Sequence, residues 1–518
     1  MLASLRELPR RLLHGGAAGD AGAAGGRHIA SNVVVQLIAR GISMPISIVT
    51  VSLAARTLDP DGFGVWTAVG AFVGIFAVLT DLGFTTVAMQ KMAAEPERES
   101  AWLGALAGAR MALSLVALAV CAVAIPLFLD GDGQAHLAAW VMSLTILATG
   151  ANALMAVFNS RLRAGLALSF SVLQSFIWLG VCIVFYVVGA DVVDFAIAYV
   201  AMLCVIAGLQ IRATRRHAHI AWRAGRALWG EMFKIALPLG IASVLISVYY
   251  QIDAVLLLQL ADAEEAGIYG AAYRFLAPLL FIPAAVMSSF FPVLSAVQAR
   301  DPDRVRRLVQ LAADYMAVIS LPVLAVTIAL SDQIIDLLYG AEFAASAEVL
   351  PVLMLAFVSI CYGTLAGFLA PLLNLHWRLA IYSGIGAAAN VALNIVLIPR
   401  YGALGSAWAT VATEVLTMAL MLGTALVALR LPIGPWRIAR VVAVAAAMTG
   451  AMVAAAPLGL FPAGALGGLV YAAGLFALRI VTPDELRALR REKAAVEDPA
   501  AADAPAGADA PAGDDPRA

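Results

Sequence analysis

Charge is what this chain has least of. Only 13% of its 518 residues are Asp, Glu, Lys or Arg, against the roughly 25% usual in soluble domains. With 62% hydrophobic residues and a mean hydropathy of +0.91, the scarcity excludes a soluble globular protein. Cysteine is scarce too: Cys121, Cys182, Cys204 and Cys361 all fall inside apolar runs without pairing or metal-ligand spacing, so they are expected to be buried packing residues. The sequence has no His-Glu-x-x-His, no Gly-x-x-x-x-Gly-Lys phosphate loop and no Gly-x-Ser-x-Gly elbow. The one close His pair, His217 and His219, sits in a basic loop and reads as solvated. No enzyme activity, no cofactor and no nucleic acid partner is expected; the net charge of −1 itself says little about partners, because the sign of the loops matters and their total does not.

What is present is a succession of apolar runs. A helix of about 20 mainly apolar residues crosses roughly 30 Å of hydrocarbon, and only helices or closed barrels satisfy their backbone there. About fourteen such runs lie between residues 30 and 480, so the fold class is an all-α polytopic membrane protein. Residues 1–29 carry four arginines around the Gly15–Gly26 tract and lack a short apolar core with a cleavage site. They read as a cytoplasmic tail. Residues 481–518 form an Ala/Pro/Asp tail whose composition cannot bury a core.

Alternate loops differ in charge. One side collects 26 Lys and Arg residues, including Arg212, Arg215, Arg216, Arg223 and Arg226; the other holds Arg56 and Arg400 alone. Positive loops stay in the cytoplasm, so an even number of spans with both termini cytoplasmic is expected. The outer loops are short, the longest being about Ser331 to Ala345, which leaves no room for an outer domain.

The chain also repeats itself. After Leu58-Asp59-Pro60-Asp61 it enters its second span as Gly64-Val65-Trp66, and after Asp262-Ala263-Glu264-Glu265 it enters its eighth as Gly267-Ile268-Tyr269, an offset of 203. A weaker echo joins Asn159 to Arg163 with Asn374 to Arg378. Six spans between copies give both the same orientation, the parallel-repeat plan of rocking transporters. The expected domains are an N-lobe at 30–211, a basic interlobe linker at 212–230, a C-lobe at 231–429 and two further helices at 430–480.

Charges inside spans are costly and mark functional sites by default. Here they are Arg40, Asp81, Arg110, Asp253, Arg274 and Glu414, while Lys234 and Asp314 lie close enough to the cytoplasmic ends to snorkel. Asp253 and Arg274 sit at similar depths on the two arms of one hairpin, roughly 10 and 12 Å below its outer turn at 1.5 Å per residue. They either pair with each other or face an aqueous cavity. Ser243, Ser247 and Tyr250 share one helix face with Asp253 adjoining. Tyr250 and Tyr273, with Tyr249 and Tyr269, either stack on sugar rings or anchor the interface. A buried guanidinium at Arg40 suits a phosphate oxygen, with Asp81 or Glu414 as the competing structural partners.

At span eleven the sequence reads Leu393-Asn394-Ile395-Val396-Leu397-Ile398-Pro399-Arg400-Tyr401-Gly402-Ala403-Leu404-Gly405-Ser406-Ala407-Trp408-Ala409-Thr410. This block strongly resembles that of the polysaccharide biosynthesis (Wzx-like) flippases, in the superfamily that also holds multidrug extruders and lipid II flippases. Ala54 to Gly64, Asp253 through Arg274, and Leu338-Tyr339-Gly340-Ala341-Glu342-Phe343 resemble the same family, which covers roughly residues 28–480. The resemblance implies two six-helix lobes around a partly cationic cavity, alternating access, and a polyprenyl-pyrophosphate-linked oligosaccharide as cargo. It places cavity arginines in the first and eighth spans, where Arg40 and Arg274 lie.

The resulting expectation is a flippase of a bacterial cytoplasmic (inner) membrane serving lipopolysaccharide or exopolysaccharide assembly. Arg40, Arg274, Tyr250 and Tyr273 would contact the cargo. Asp81, Asp253 and Glu414 would pair with the arginines or take a coupling cation, and no metal site is expected. Its partners would be the lipid-linked oligosaccharide, membrane lipid and polysaccharide assembly enzymes. Rival readings are a cation-coupled drug exporter, a membrane glycosyltransferase or polymerase, against which the short outer loops argue, and a non-transporting scaffold.

Overall fold

The computed structural model describes residues 23–128, 133–160, 164–297, 301–430 and 434–480, and every regular element among them is a helix. Most of the expected N-terminal tail and the whole C-terminal tail lie outside the described residues, as do Arg161, Arg163 and Arg300. Among the described residues, eleven helical segments are long and apolar enough to cross a membrane. Two of them, Gly41–Ala94 and Trp377–Leu429, contain 54 and 53 residues, far more than the roughly 20 that one crossing needs.

Each long segment is two helices joined at a break. In the first the break is Asp59, with φ 55° and ψ 175°, followed by Pro60. In the second it is Gly402, with φ 51° and ψ −133°, a conformation that a side chain disfavours and glycine permits. The stretch from Ala263 to Val297 is divided into the helices Ala263–Tyr273, Leu276–Leu279 and Phe281–Val297, too broken to count by length. Two split segments and this interrupted one account for the difference between eleven and the fourteen expected.

The chain forms two compact units. One comprises residues up to Phe275 with Ile334–Val352 and Ser383–Thr413. Its core joins Phe84, Trp102, Leu103, Leu106, Val157, Phe158 and Met232. Within it the basic linker is clamped, because Ala221 N–H donates to Ser100 O at 3.0 Å and Gly104 and Gly225 admit backbone-to-backbone contact with Ala221 and Ala105.

In the other unit, the helices Pro435–Ala455 and Leu460–Ala477 lie together. Val441, Val444, Ile480 and Tyr471 pack on Ala317 and Val318, and Tyr471 Oη donates to Val318 O at 2.7 Å. Asp314, expected to snorkel, is instead 3% exposed and paired with Arg437 at 3.3 Å. The Pro435–Ala455 helix brings in the counter-charge, and a sequence-based depth count cannot see that neighbour. Cys204 also departs from expectation, being exposed while the other three cysteines are buried. In an all-apolar span, sequence does not say which face meets protein and which meets lipid.

The repeat becomes physical at its glycines, all in the first unit. A Cβ on Gly64 would strike the Ala263 carbonyl and come within 2.7 Å of Gly267 N; one on Gly267 would strike the Pro60 carbonyl and come within 3.2 Å of Gly64 N. Residues 60 and 64 meet 263 and 267, their own counterparts at the offset of 203. Each copy gives the other the same contact, as a two-fold axis between copies requires. Small residues at the crossing let the backbones touch.

Beside it, Arg56 donates from Nε to Leu338 O at 3.1 Å and from Nη2 to Leu337 O at 2.8 Å and Asp336 O at 3.3 Å. It thereby caps the last carbonyls of Pro302–Tyr339, of which Asp336 O also accepts from Gly340 N–H at 3.0 Å, at the negative end of the helix dipole. Because the glycine contact is mutual, Gly64→Val and Gly267→Val should each destabilise the protein by about 1 to 3 kcal/mol through overpacking. Gly180→Val, where nothing lies within 4 Å of an added Cβ, is the control. Thermal unfolding in detergent measures this, and a neutral Gly64→Val would contradict the crossing.

Candidate functional site

Asp253 lies on the Trp229–Leu260 helix and is 4% exposed. Its Oδ2 accepts from Tyr269 Oη at 2.9 Å and from Thr410 Oγ1 at 3.0 Å, and its Oδ1 accepts from Asn394 Nδ2 at 2.9 Å. Asn394 Nδ2 also donates to Asn390 O at 3.0 Å. The carboxylate is thus held by three neutral donors from the eighth, eleventh and twelfth spans. Three further buried oxygens of the same helices, Asn390 Oδ1, Asn394 Oδ1 and Ser406 Oγ, have no hydrogen-bond partner among the described residues.

The local chain makes this cage. Asp262 caps the Ala263–Tyr273 helix by accepting from Glu265 N–H at 2.9 Å, which sets the rotation that aims Tyr269 at Asp253. Glu265 Oε2 in turn accepts from Ala403 N–H at 2.6 Å, beside Gly402. That bond ties the turn between spans seven and eight to the turn between spans eleven and twelve, fixing the height at which Asn394 and Thr410 meet Asp253.

Arg274 does not meet Asp253. It ends the Ala263–Tyr273 helix, its side chain is exposed, and it has no ion pair among the described residues. Its electrostatic neighbours are Tyr199 and Tyr339. Around Tyr199 stands an aromatic group, Trp178 with its ring centroid 5.0 Å away and Trp66 at 5.7 Å. Tyr250 and Tyr273 do come together, Tyr273 Oη donating to Tyr250 O at 3.4 Å. Tyr273 also stacks on Tyr269, with centroids 5.5 Å apart and planes at 22°. Ser243 and Tyr250 are exposed and Ser247 is half-buried, so the polar face of the seventh span and its buried Asp253 point to different surroundings.

Asp81 belongs to a second cluster, with Arg110. Their closest atoms are 3.8 Å apart. Asp81 Oδ1 accepts from Thr85 N–H at 2.9 Å and Thr85 Oγ1 at 2.7 Å, capping Phe84–Ala94 where the second span breaks at Leu82 and Gly83, both at positive φ. Arg110 Nη1 donates to Thr85 Oγ1, and its Nη2 to Thr80 Oγ1 and Thr149 O, at 3.1 to 3.3 Å. Asp81 therefore has a structural partner in Arg110. Glu414 is buried in the second compact unit. Arg40 lies in the helix Ala23–Ala77, but its side chain is outside what the structure describes.

Sequence reasoning missed the roles of Asn390, Asn394, Thr410 and Tyr269 around Asp253. Two asparagines one helical turn apart inside an apolar span were the available signal.

Fold and site together define a polytopic helical membrane protein with an internal repeat. The family model described as polysaccharide biosynthesis protein matches residues 29–298, just over half of the chain, and the chain belongs to that family. A second model, MatE, matches residues 238–396. Among curated proteins of Haloferax volcanii, the chain is 30% identical over 166 residues to the probable flippase AglR, a match spanning 31% of this chain and 35% of AglR. It is 22% identical over 400 residues to the probable low-salt glycan biosynthesis flippase Agl15, covering 74% of this chain and 80% of that protein. The chain thus spans only about a third of AglR in the first of these matches.

Among solved structures, the lipid II flippase MurJ in an inward closed conformation superposes with a TM-score of 0.71 at 14% identity, over 87% of this chain and 99% of MurJ. An inward-facing multidrug resistance MATE family transporter superposes with a TM-score of 0.59 at 17% identity, over 79% and 98%. Both likenesses are of fold.

The cage gives a stability expectation. Tyr269→Phe removes a donor to a buried carboxylate and should cost about 1 to 3 kcal/mol, whereas Tyr401→Phe, at a residue 60% exposed, should cost much less. Unfolding of the two purified variants decides it, and equal effects would show that the Tyr269 hydroxyl does not hold Asp253.

Proposed function

We propose that this protein is a flippase that carries a polyprenyl-pyrophosphate-linked oligosaccharide from the cytoplasmic to the outer leaflet by alternating access between two six-helix lobes. The observation that carries the reading is Arg274, an exposed guanidinium within an apolar span that no acid among the described residues neutralises. An intramembrane cation left without a counter-charge is expensive, and its cost is offset when an anionic cargo supplies two parallel charge-assisted hydrogen bonds. Arg40, placed in the first span by sequence, is the second candidate for the pyrophosphate, with Tyr250 and Tyr273 as sugar contacts. Membership of the polysaccharide biosynthesis family and the names of the Haloferax relatives support a glycan cargo. The surplus of 26 Lys and Arg over two supports cytoplasmic termini.

Asp253 supplies the coupling. One carboxylate bonded to Asn394 and Thr410, with unpaired oxygens of Asn390, Asn394 and Ser406 on the same helices, offers oxygen ligands for a hard monovalent cation, or a site for a proton. The observation favouring a second reading, a cation-coupled drug exporter, is the MatE match over residues 238–396. Drug efflux that persists in cells lacking the lipid carrier would select it.

The test uses surface polysaccharide in cells. Arg274→Ala should lower its export by about tenfold or more at normal protein level, since hydrogen bonds to a charged group contribute about 1.5 to 3 kcal/mol. Asp253→Asn, of nearly the same shape, should leave the protein folded and abolish the dependence of transport on the ion gradient. Unchanged polysaccharide in both Arg274→Ala and Arg40→Ala refutes the cationic site.

A further inference from the structure

The second compact unit contains a groove that the proposed transport reading does not use. It is lined by Arg378, Ala419, Leu420, Gly423, Thr424, Val427 and Ala428 and has a volume of about 400 Å³. One wall is the start of the helix His376–Leu429 and the other its last turns, brought alongside by the reversal at Gly402. Tyr382 Oη and Thr424 Oγ1, 3.1 Å apart, close it on one side. From Ala419 to Ala428 the apolar wall runs about 14 Å along the helix at 1.5 Å per residue.

Three features converge at one end. Arg378 is exposed, has no ion pair among the described residues, and no acid lines the groove. It lies in the first turn of a helix whose N-cap, Leu375, provides no side-chain cap, so the free N–H groups and the positive end of the dipole face the same region as the guanidinium. Trp377 beside it is 82% exposed, as expected of an indole at the headgroup level. The other end is walled by Ala419, Leu420 and Gly423, without charge.

A ligand that fits has an anionic head and an apolar tail of comparable length. We infer that this groove binds one anionic phospholipid of the surrounding bilayer, its phosphate on Arg378 and the helix N-terminus and one acyl chain along Gly423 and Ala419. In the orientation given by the charge asymmetry the lipid comes from the cytoplasmic leaflet, whose negative surface attracts basic residues near the membrane. Gly423 keeps the channel open, since nothing lies within 4 Å of an added Cβ there and a larger side chain would fill the space.

The experiment is native mass spectrometry of the full-length protein, delipidated in detergent and titrated with phosphatidylglycerol or phosphatidylcholine. Wild type should retain one phosphatidylglycerol in preference to phosphatidylcholine. Arg378→Gln should erase about fivefold of that preference, the equivalent of one basic residue at an anionic surface, and lower phosphatidylcholine retention less than phosphatidylglycerol retention, because the choline cation already offsets that lipid's phosphate. Gly423→Leu should lower the retention of both lipids. Because Arg378 is exposed, its variant is not expected to unfold the protein, and a thermal melt of each variant verifies this. The inference is overturned if both variants keep wild-type retention and preference, if chain-free glycerol phosphate displaces the lipid at equal concentration, or if an isoprenoid phosphate is retained in preference to phosphatidylglycerol. The comparison of Arg378→Gln and Gly423→Leu with wild type does not depend on the cargo, so a failed flippase reading leaves the result interpretable.

Discussion

A carboxylate inside hydrocarbon must be satisfied by the protein itself, because no water is at hand and each unpaired polar group there costs several kcal/mol. Asp253 meets that demand with Tyr269, Asn394 and Thr410, and in doing so it fixes the relation of four spans. Tyr269 can reach it only if the eighth span starts where Asp262 caps it. Asn394 and Thr410 can reach it only if the chain reverses at Gly402, near the height of the Glu265 carboxylate that accepts from Ala403. Two tight turns and one buried acid therefore specify the same register. The outer halves of these spans are small-residue and apolar elsewhere, so dispersion and shape would tolerate sliding; the directional bonds to Asp253 do not.

The glycine crossing imposes the complementary constraint from the backbone side. Helices normally stand 8 to 10 Å apart, whereas Gly64 and Gly267 bring main-chain atoms into contact. The mutual pattern, each glycine against the carbonyl four residues before its counterpart, leaves one symmetric arrangement of the two hairpin tips. Arg56 fills what remains open beside it by capping the carbonyls of residues 336 to 338. It is one of only two basic residues on the side opposite the positive loops, and that bonding explains why it is tolerated there. The Asp81–Arg110 pair does comparable work where the second span unwinds, since Thr80, Thr85 and Asp81 freed by the break become the partners that a buried guanidinium needs.

Much of the fold was legible because it follows from hydrophobicity and turn chemistry. The apolar runs gave the spans, and the offset of 203 between Gly64 and Gly267 predicted copies that the structure brings face to face. The site was less legible. Depth along two helices showed that Asp253 and Arg274 could meet, but depth carries no rotation, and the rotation of the eighth span aims Tyr269, not Arg274, at the acid. Asp314 was misread for a related reason, its partner Arg437 lying 123 residues away in a helix whose docking no local pattern encodes. Cys204 shows the same limit, since an apolar face toward lipid and one toward protein have the same composition.

The separation of Asp253 from Arg274 bears on mechanism. Had they formed a buried pair, each would have cancelled the other, and removing either would have left an uncompensated charge whose cost masks any transport role. Instead the acid is balanced by neutral dipoles and the base by no acid among the described residues, so under the proposed function the two charges would respond to different ligands. They are still in mechanical contact. Tyr269 bonds the acid, Tyr273 stacks on Tyr269 one helical turn later, and Arg274 is the next residue. Under the proposed function, a cation or proton on Asp253 would weaken its claim on the Tyr269 hydroxyl and so loosen the turn that holds Arg274. By linkage an anion on Arg274 that shifts this turn must alter the affinity of Asp253 for its cation by the same factor. Under the proposed function, that reciprocity makes the hairpin of the second repeat the place where ion and cargo exchange free energy, and it requires the two charges to be neighbours that do not touch.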